Sequence, residues 1–129
     1  MEIVAVGLDL VELDRFEALY STFEPEVLAR CFSNREQASV GTGHESLVRL
    51  AARFAAKEAV LKTIGGLQDG ISLTEIEILS DGVSAPRVEV SGGARNAAMA
   101  HGVAVWLVSL THTSQSAAAV AIALGPAPM

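Results

Sequence analysis

Two carboxylates stand where apolar residues are expected. Asp9 lies inside the apolar run 3–10, between Leu8 and Leu10. Glu58 falls on the inward stripe of a helical stretch in which Leu47, Leu50, Ala51, Phe54 and Leu61 recur at three- and four-residue steps. An ionised carboxylate in such a setting is expensive unless it is paired or metal-bound. Together the two supply hard oxygen ligands, and Mg²⁺ usually takes one or two carboxylates plus waters and phosphate oxygens. The plainer alternative for Asp9 is a strand end already in solvent, or a cap for the following helix. For Glu58 it is an i,i+4 salt bridge to Lys62, which stands one turn on in the favourable order.

Cations lie close by in the sequence. Arg49, Arg53 and Lys57 recur at i, i+4 and i+8 along the adjacent helix face. That row is either a solvated face or a holder of anions such as phosphate. A third feature is Ser109-Leu110-Thr111-His112-Thr113 at a predicted strand end. Its hydroxyls and imidazole suit phosphate, or else form a polar turn bonding its own backbone. Paired carboxylates beside cations fit phosphoryl transfer, which needs mainly positioning and charge neutralisation.

The elements that must position these groups read as follows. Residues 3–10 form a buried strand containing Gly7. Residues 12–20 and 25–32 are helical, separated near Ser21-Thr22. Residues 41–43 are a loop, and 45–64 the clearest helix, closed by Gly65-Gly66. Residues 73–79 form a strand, Asp81-Gly82 a turn, and 87–90 the returning strand. A short helix spans 94–101, ending at Gly102. Strands at 103–110 and 117–124 follow, and a loose tail begins at about 125. The fold class is α+β: helices packed on a mostly antiparallel sheet.

Composition bounds the rest. The chain has 129 residues, one domain by length. Area scaling gives a folded surface of about 6,500 Å², with roughly two-thirds of the chain's surface buried. Hydrophobic residues make up 50% and charged residues 19%, which excludes disorder. Alanine, at 21 positions, buries little area per residue, which hints at an oligomer interface. A net charge of −6 argues against nucleic-acid binding. The apolar runs are too short to cross a membrane. The start Met1-Glu2-Ile3 lacks the basic stretch of a secretory leader, so a cytoplasmic protein is expected. Cys31 is the sole cysteine and reads as a packing residue. Trp106 reads as core, and His44 and His101 as loop residues without a role.

The ordered motifs resemble one family. Gly7-Leu8-Asp9-Leu10 with Glu12 and Arg15 is the first. Leu50-Ala51-Ala52-Arg53-Phe54-Ala55-Ala56-Lys57-Glu58-Ala59 with Lys62 is the second and most specific. Val108-Ser109-Leu110-Thr111-His112-Thr113 before an Ala-rich strand is the third. The segment 74–78 resembles the family's central strand. In these the chain resembles the holo-acyl-carrier-protein synthases, the short, single-domain 4'-phosphopantetheinyl transferases, over residues 3–124.

The resemblance implies an activity. Such enzymes move the 4'-phosphopantetheine arm of coenzyme A to a serine of an apo acyl carrier protein. They need Mg²⁺, release adenosine 3',5'-bisphosphate, and serve fatty acid biosynthesis and lipid metabolism. Short members are homotrimers with active sites at subunit interfaces. Carried across, Asp9 and Glu58 would hold Mg²⁺, and Lys62 would neutralise the bridging phosphates. The proton acceptor would be Glu58 or a water on the metal. Arg53, Gly65, Ser109, Thr111 and His112, with Lys62, would form the coenzyme A site, partly from different subunits. Arg15 would face the carrier.

The chain departs from the family in three places. A usual Gly-Thr-Gly is here Gly65-Gly66-Leu67, and a usual Gly-Lys-Pro is Ser84-Ala85-Pro86. The first helix, usually basic, carries Asp14, Glu17, Glu24 and Glu26 beside Arg15. Like charges facing an acidic carrier slow association, so a weaker or shifted docking face, or a partner unlike the usual fatty-acid carrier, is expected. Three other readings stand beside the transferase: another Mg²⁺-dependent enzyme acting on a nucleotide pyrophosphate, a non-catalytic binder of coenzyme A or of a carrier, and an oligomer whose Glu58–Lys62 pair is structural.

Overall fold

The computed structural model describes residues 1–41, 44–80 and 85–127, with His44 described by its backbone alone. The expected turn at Asp81-Gly82, Thr42 and Gly43 of the first loop, and Ser84 of the second departure lie outside the described residues.

Elements run in the order β1 (Glu2–Glu12), α1 (Leu13–Cys31), α2 (Asn34–Val40), α3 (His44–Thr63), a 3-10 turn (Leu73–Glu75), β2 (Ile76–Leu79), β3 (Arg87–Val90), α4 (Gly92–Ala100), β4 (Val105–His112) and β5 (Ser116–Gly125). The α+β expectation holds, but the strands form two sheets rather than one. One has the order β1-β5-β4, the other pairs β2 with β3, and every pairing among the described residues is antiparallel.

Local chemistry explains most boundaries. The two expected helices at 12–20 and 25–32 run as one element, kinked at Phe23 (φ −128, ψ 37) just ahead of Pro25. Proline lacks the N–H for the helical bond and crowds the carbonyl four residues back. Helix α2 was not anticipated. Ser33 caps it, accepting from the Glu36 N–H, while the Glu36 carboxylate accepts from the Ser33 N–H. This reciprocal pair is legible as Ser-x-x-Glu in the sequence. The strand expected at 73–79 starts only at Ile76, because a second such pair, Ser72 with Glu75, winds Leu73–Glu75 into the 3-10 turn. Helix α3 ends with Gly65 and Gly66 at positive φ (96 and 82), and the Gly66 N–H donates back to the Leu61 carbonyl.

The core lies between α3 and the three-stranded sheet. Alanines meet there from both sides: Ala55, Ala56 and Ala59 on the helix, and Ala119, Ala121 and Ala123 on β5, all buried. Small side chains let helix and sheet approach closely. Trp106 sits in this core, as expected, and its Nε1–H donates to the buried Thr63 hydroxyl (2.8 Å). The opposite sheet face is open. Val6, Leu8 and Leu10 on β1 and Leu107 on β4 are each 59–65% exposed. The register places Val6, Ile122 and Leu107 in one row across that face.

Candidate active site

Asp9 belongs to the inner face of β1. Its neighbours Leu8 and Leu10 point outward, whereas Gly7 is buried and Asp9 and Val11 are half-buried. Asp9 therefore lies within the strand, opposite Ala119, and neither caps the next helix nor ends the strand. Helix α3 crosses this face at close range. A Cβ on Gly7 would stand 1.9 Å from the Ala59 carbonyl oxygen. The Gly7 backbone is not left-handed. Space, not conformation, requires glycine there. The contact falls two residues from Asp9 and one from Glu58, so it sets the gap between the two carboxylates.

Glu58 is half-buried, and burial pushes its carboxyl above the ordinary range. The negative charge of Asp9 pushes the same way, and Lys62 opposes both. The two carboxylates thus stand close enough to repel each other. Lys62 does not make the i,i+4 bridge to Glu58 that was the plainer alternative. Its ammonium crosses to β1, donating to the Leu8 carbonyl (2.7 Å) and to Asp9 Oδ1 (3.2 Å). Two acceptors on one strand outbid a single carboxylate on its own helix.

A cavity of about 500 Å³ opens beside this cluster. Phe16, Leu19 and Phe54 form an apolar wall, and Arg15 of α1 stands at its side. Among the described residues no group of three or more His, Cys, Asp or Glu is assembled. Two hard carboxylates with the remaining positions left to water or phosphate fit Mg²⁺ better than metals that want a full protein cage.

The other expected site residues are placed elsewhere in the chain. Gly65 terminates α3 a few residues beyond Lys62. His112 lines a second cavity of about 600 Å³ with Arg49, Glu45 and Leu13. Ser109 and Thr111 are exposed on the open sheet face, opposite Val120 and Ala118. Arg53 is buried, its Nη1 donates to the Arg49 carbonyl (3.4 Å), and its Nε has no partner among the described residues. Burial holds its guanidinium below the usual range. Within one chain the structure brings together Asp9, Glu58, Lys62 and the flanking Arg15. It does not bring Arg53, Ser109, Thr111 and His112 to them.

The basic row along α3 is not a solvated face. Arg49 is exposed, but Arg53 and Lys57 are buried. The Lys57 ammonium pairs with Glu36 (2.5 Å) and also donates to the Ile76 carbonyl. Sequence reasoning missed Glu36 altogether, although the Ser-x-x-Glu signature announced its helix. Cys31 is half-buried at the end of α1, and burial pushes its thiol up, in keeping with a packing role.

Comparison with known proteins places this arrangement in a family. Residues 5–123 match the model of the 4'-phosphopantetheinyl transferase superfamily. A holo-(acyl-carrier-protein) synthase from Solidesulfovibrio magneticus is 40% identical over 121 residues, covering 93% of this chain and 97% of that one. The crystal structure of a holo-ACP-synthase from Plasmodium yoelii is 26% identical, covers 98% of each chain and superposes with a TM-score of 0.84. A Bacillus anthracis holo-(acyl-carrier-protein) synthase, solved in complex with CoA (3',5'-ADP), is 26% identical with a TM-score of 0.78, covering 96% of this chain and 98% of that one. The chain belongs to the 4'-phosphopantetheinyl transferase superfamily, and within it to the holo-(acyl-carrier-protein) synthases.

Proposed function

We propose that the chain transfers the 4'-phosphopantetheine arm of coenzyme A to a serine of an apo acyl carrier protein, with Mg²⁺ required and adenosine 3',5'-bisphosphate released. One observation carries the reading: Asp9 and Glu58 face one cavity from a strand and a helix, with the Lys62 ammonium bridging to Asp9. Asp9 and Glu58 would hold the metal, which supplies charge neutralisation on the pyrophosphate when bound.

The chain's own groups do the rest. The carrier serine oxygen attacks the phosphorus that bears the pantetheine arm, and the bond from that phosphorus to the oxygen bridging to the nucleotide phosphate breaks. Glu58, which faces the cavity, is the proposed acceptor of the serine proton. Lys62 meets the charge that gathers on the leaving phosphate. The apolar wall of Phe16, Leu19 and Phe54 offers a dry surface for the arm. Arg15, beside it, is the proposed carrier contact.

The proposed assembly is a homotrimer with coenzyme A bound between subunits. Two observations support self-association. The chain exposes 7352 Å², against about 6,500 Å² expected for a lone domain of its mass. The excess accompanies the open apolar face of β1, β5 and β4. Arg53, Ser109, Thr111 and His112 also lie away from the Asp9 cavity, as a site shared between copies requires. The proposed setting is the cytoplasm, which suits a lone unpaired cysteine. No described helix is long and apolar enough to cross a membrane.

The test is mass spectrometry of an apo carrier protein incubated with this protein, coenzyme A and Mg²⁺, with an EDTA control. A Mg²⁺-dependent gain of one phosphopantetheine arm supports the reading. Coenzyme A binding without transfer to any of several carriers refutes it in favour of a binding module.

A further inference from the structure

Glu58 is fixed from both sides along α3. The residue after it, Ala59, lies with its carbonyl against Gly7 of β1. The residue before it, Lys57, is fully buried on the side of the two-stranded sheet. The Lys57 ammonium donates to Glu36 Oε1 (2.5 Å) and to the Ile76 carbonyl, and stands 5.4 Å from the Phe32 ring centroid. Glu36, also fully buried, accepts from the Ser33 N–H and the Ile78 N–H, each at 3.0 Å. The segment before α2, α2 itself, α3 and β2 are thus tied at one point. The pair does not line the Asp9 cavity, so it cannot touch a substrate held there.

A buried ion pair is a poor source of stability, since an apolar pair of like volume often serves as well. Its distinguishing property is direction. Apolar contacts let a helix turn or slide slightly, whereas charge-assisted hydrogen bonds set its angle. Side-chain tips lie about 5–6 Å from a helix axis, so a rotation of about 10° carries one roughly 1 Å. We propose that Glu36 and Lys57 are positioning residues of the active site, holding α3 at the angle where Glu58 meets Asp9 across the gap set by Gly7. This inference rests on the transferase reading, but its test does not depend on turnover alone.

The probe is the double variant Glu36→Gln with Lys57→Met. Both charges leave together, and the new amide oxygen can still accept from Ile78. Three quantities are compared with wild type: cooperative thermal unfolding, kcat and KM for coenzyme A, and Mn²⁺ affinity in the presence of adenosine 3',5'-bisphosphate. The expected result is a cooperatively folding protein whose kcat falls about 10–100-fold while KM stays within about twofold. Its Mn²⁺ dissociation constant rises about tenfold or more, because displaced carboxylates grip a cation poorly. A folded double variant with wild-type kcat and Mn²⁺ affinity overturns the proposal, and so does a loss confined to KM. Should the double variant not unfold cooperatively, Glu36→Asp is the milder probe, since it keeps the charge balance and only shortens the reach to Lys57, and unchanged kcat and Mn²⁺ affinity there overturn the proposal equally. An inactive wild type would refute the transferase reading instead, and the Mn²⁺ comparison would still decide the role of the pair.

Discussion

Replacing Gly7 by alanine is expected to separate the two carboxylates without unfolding the chain. The added Cβ would stand 1.9 Å from the Ala59 carbonyl oxygen and 2.8 Å from its carbonyl carbon. Both are backbone atoms of a helix interior, so no side chain can swing aside. Relief requires β1 and α3 to part by about 1 Å or more to reach tolerable contact. That movement is applied two residues from Asp9 and one residue from Glu58. Mg²⁺ takes oxygens at about 2.0–2.1 Å in near-ideal geometry, so an ion held by both carboxylates would lose one of them. A misplacement of about 1 Å corresponds to roughly a hundredfold loss in kcat. Overpacking of this kind costs about 1–3 kcal/mol, which lowers Tm by roughly 5–10 °C in a chain of this size. The assay is mass-spectrometric carrier modification, with a circular dichroism melt and an Mn²⁺ titration on the same sample. Adding Ala59→Gly should not restore activity, because the clash is with the carbonyl and not with the methyl. Wild-type kcat and Tm in Gly7→Ala would show slack between strand and helix, and would refute the account of how the site is spaced.

Other outcomes follow from the same geometry. Asp9→Ala should abolish Mg²⁺-dependent transfer while leaving the far-ultraviolet dichroism unchanged, and full activity would remove Asp9 from the metal assignment. Glu58→Gln should abolish transfer yet raise the Tm of the metal-free protein at neutral pH by about 1–3 °C. The sign follows from the raised pKa: the folded state favours the protonated Glu58 carboxyl, so ionisation weakens the fold as pH rises through that pKa. The Tm difference from wild type should therefore shrink as pH falls below the ordinary glutamate value, and a difference that grows there would contradict this. Lys62→Met should lower kcat by about 100-fold with little change in KM for coenzyme A. It should not weaken Mn²⁺ binding alone, because the ammonium occupies Asp9 Oδ1 in competition with a cation; weaker Mn²⁺ binding would give Lys62 a structural part in the site. Leu107→Glu on the open face should shift the protein to monomer by light scattering and remove activity, and an active monomer would exclude a site shared between copies.

Much of this protein was legible residue by residue. The three-and-four spacing from Leu47 to Leu61 announced α3, and glycines at 65 and 66 announced its end, because helix periodicity and left-handed caps are local properties. The Asp9 and Glu58 anomalies were visible for a similar reason, since each broke an apolar pattern within its own element. The ordered motifs pointed to the family for the same positions. Pairing between distant segments was not legible in this way. Lys62 had Glu58 one turn away and still bonded to Asp9 and the Leu8 carbonyl, 53 and 54 residues distant in the chain. Lys57 fitted an exposed basic row by spacing alone, yet it is buried against Glu36, 21 residues earlier. The outward face of β1 was hidden by composition, since Leu8 and Leu10 are as apolar as a buried strand requires. Local sequence sets which backbone shape and which face a segment prefers, because those depend on neighbours three or four residues away. Which charge meets which, and which apolar face is left open, depends on where the packed α3 and β1 come to rest, and that was decided only when the alanines of helix and sheet closed together.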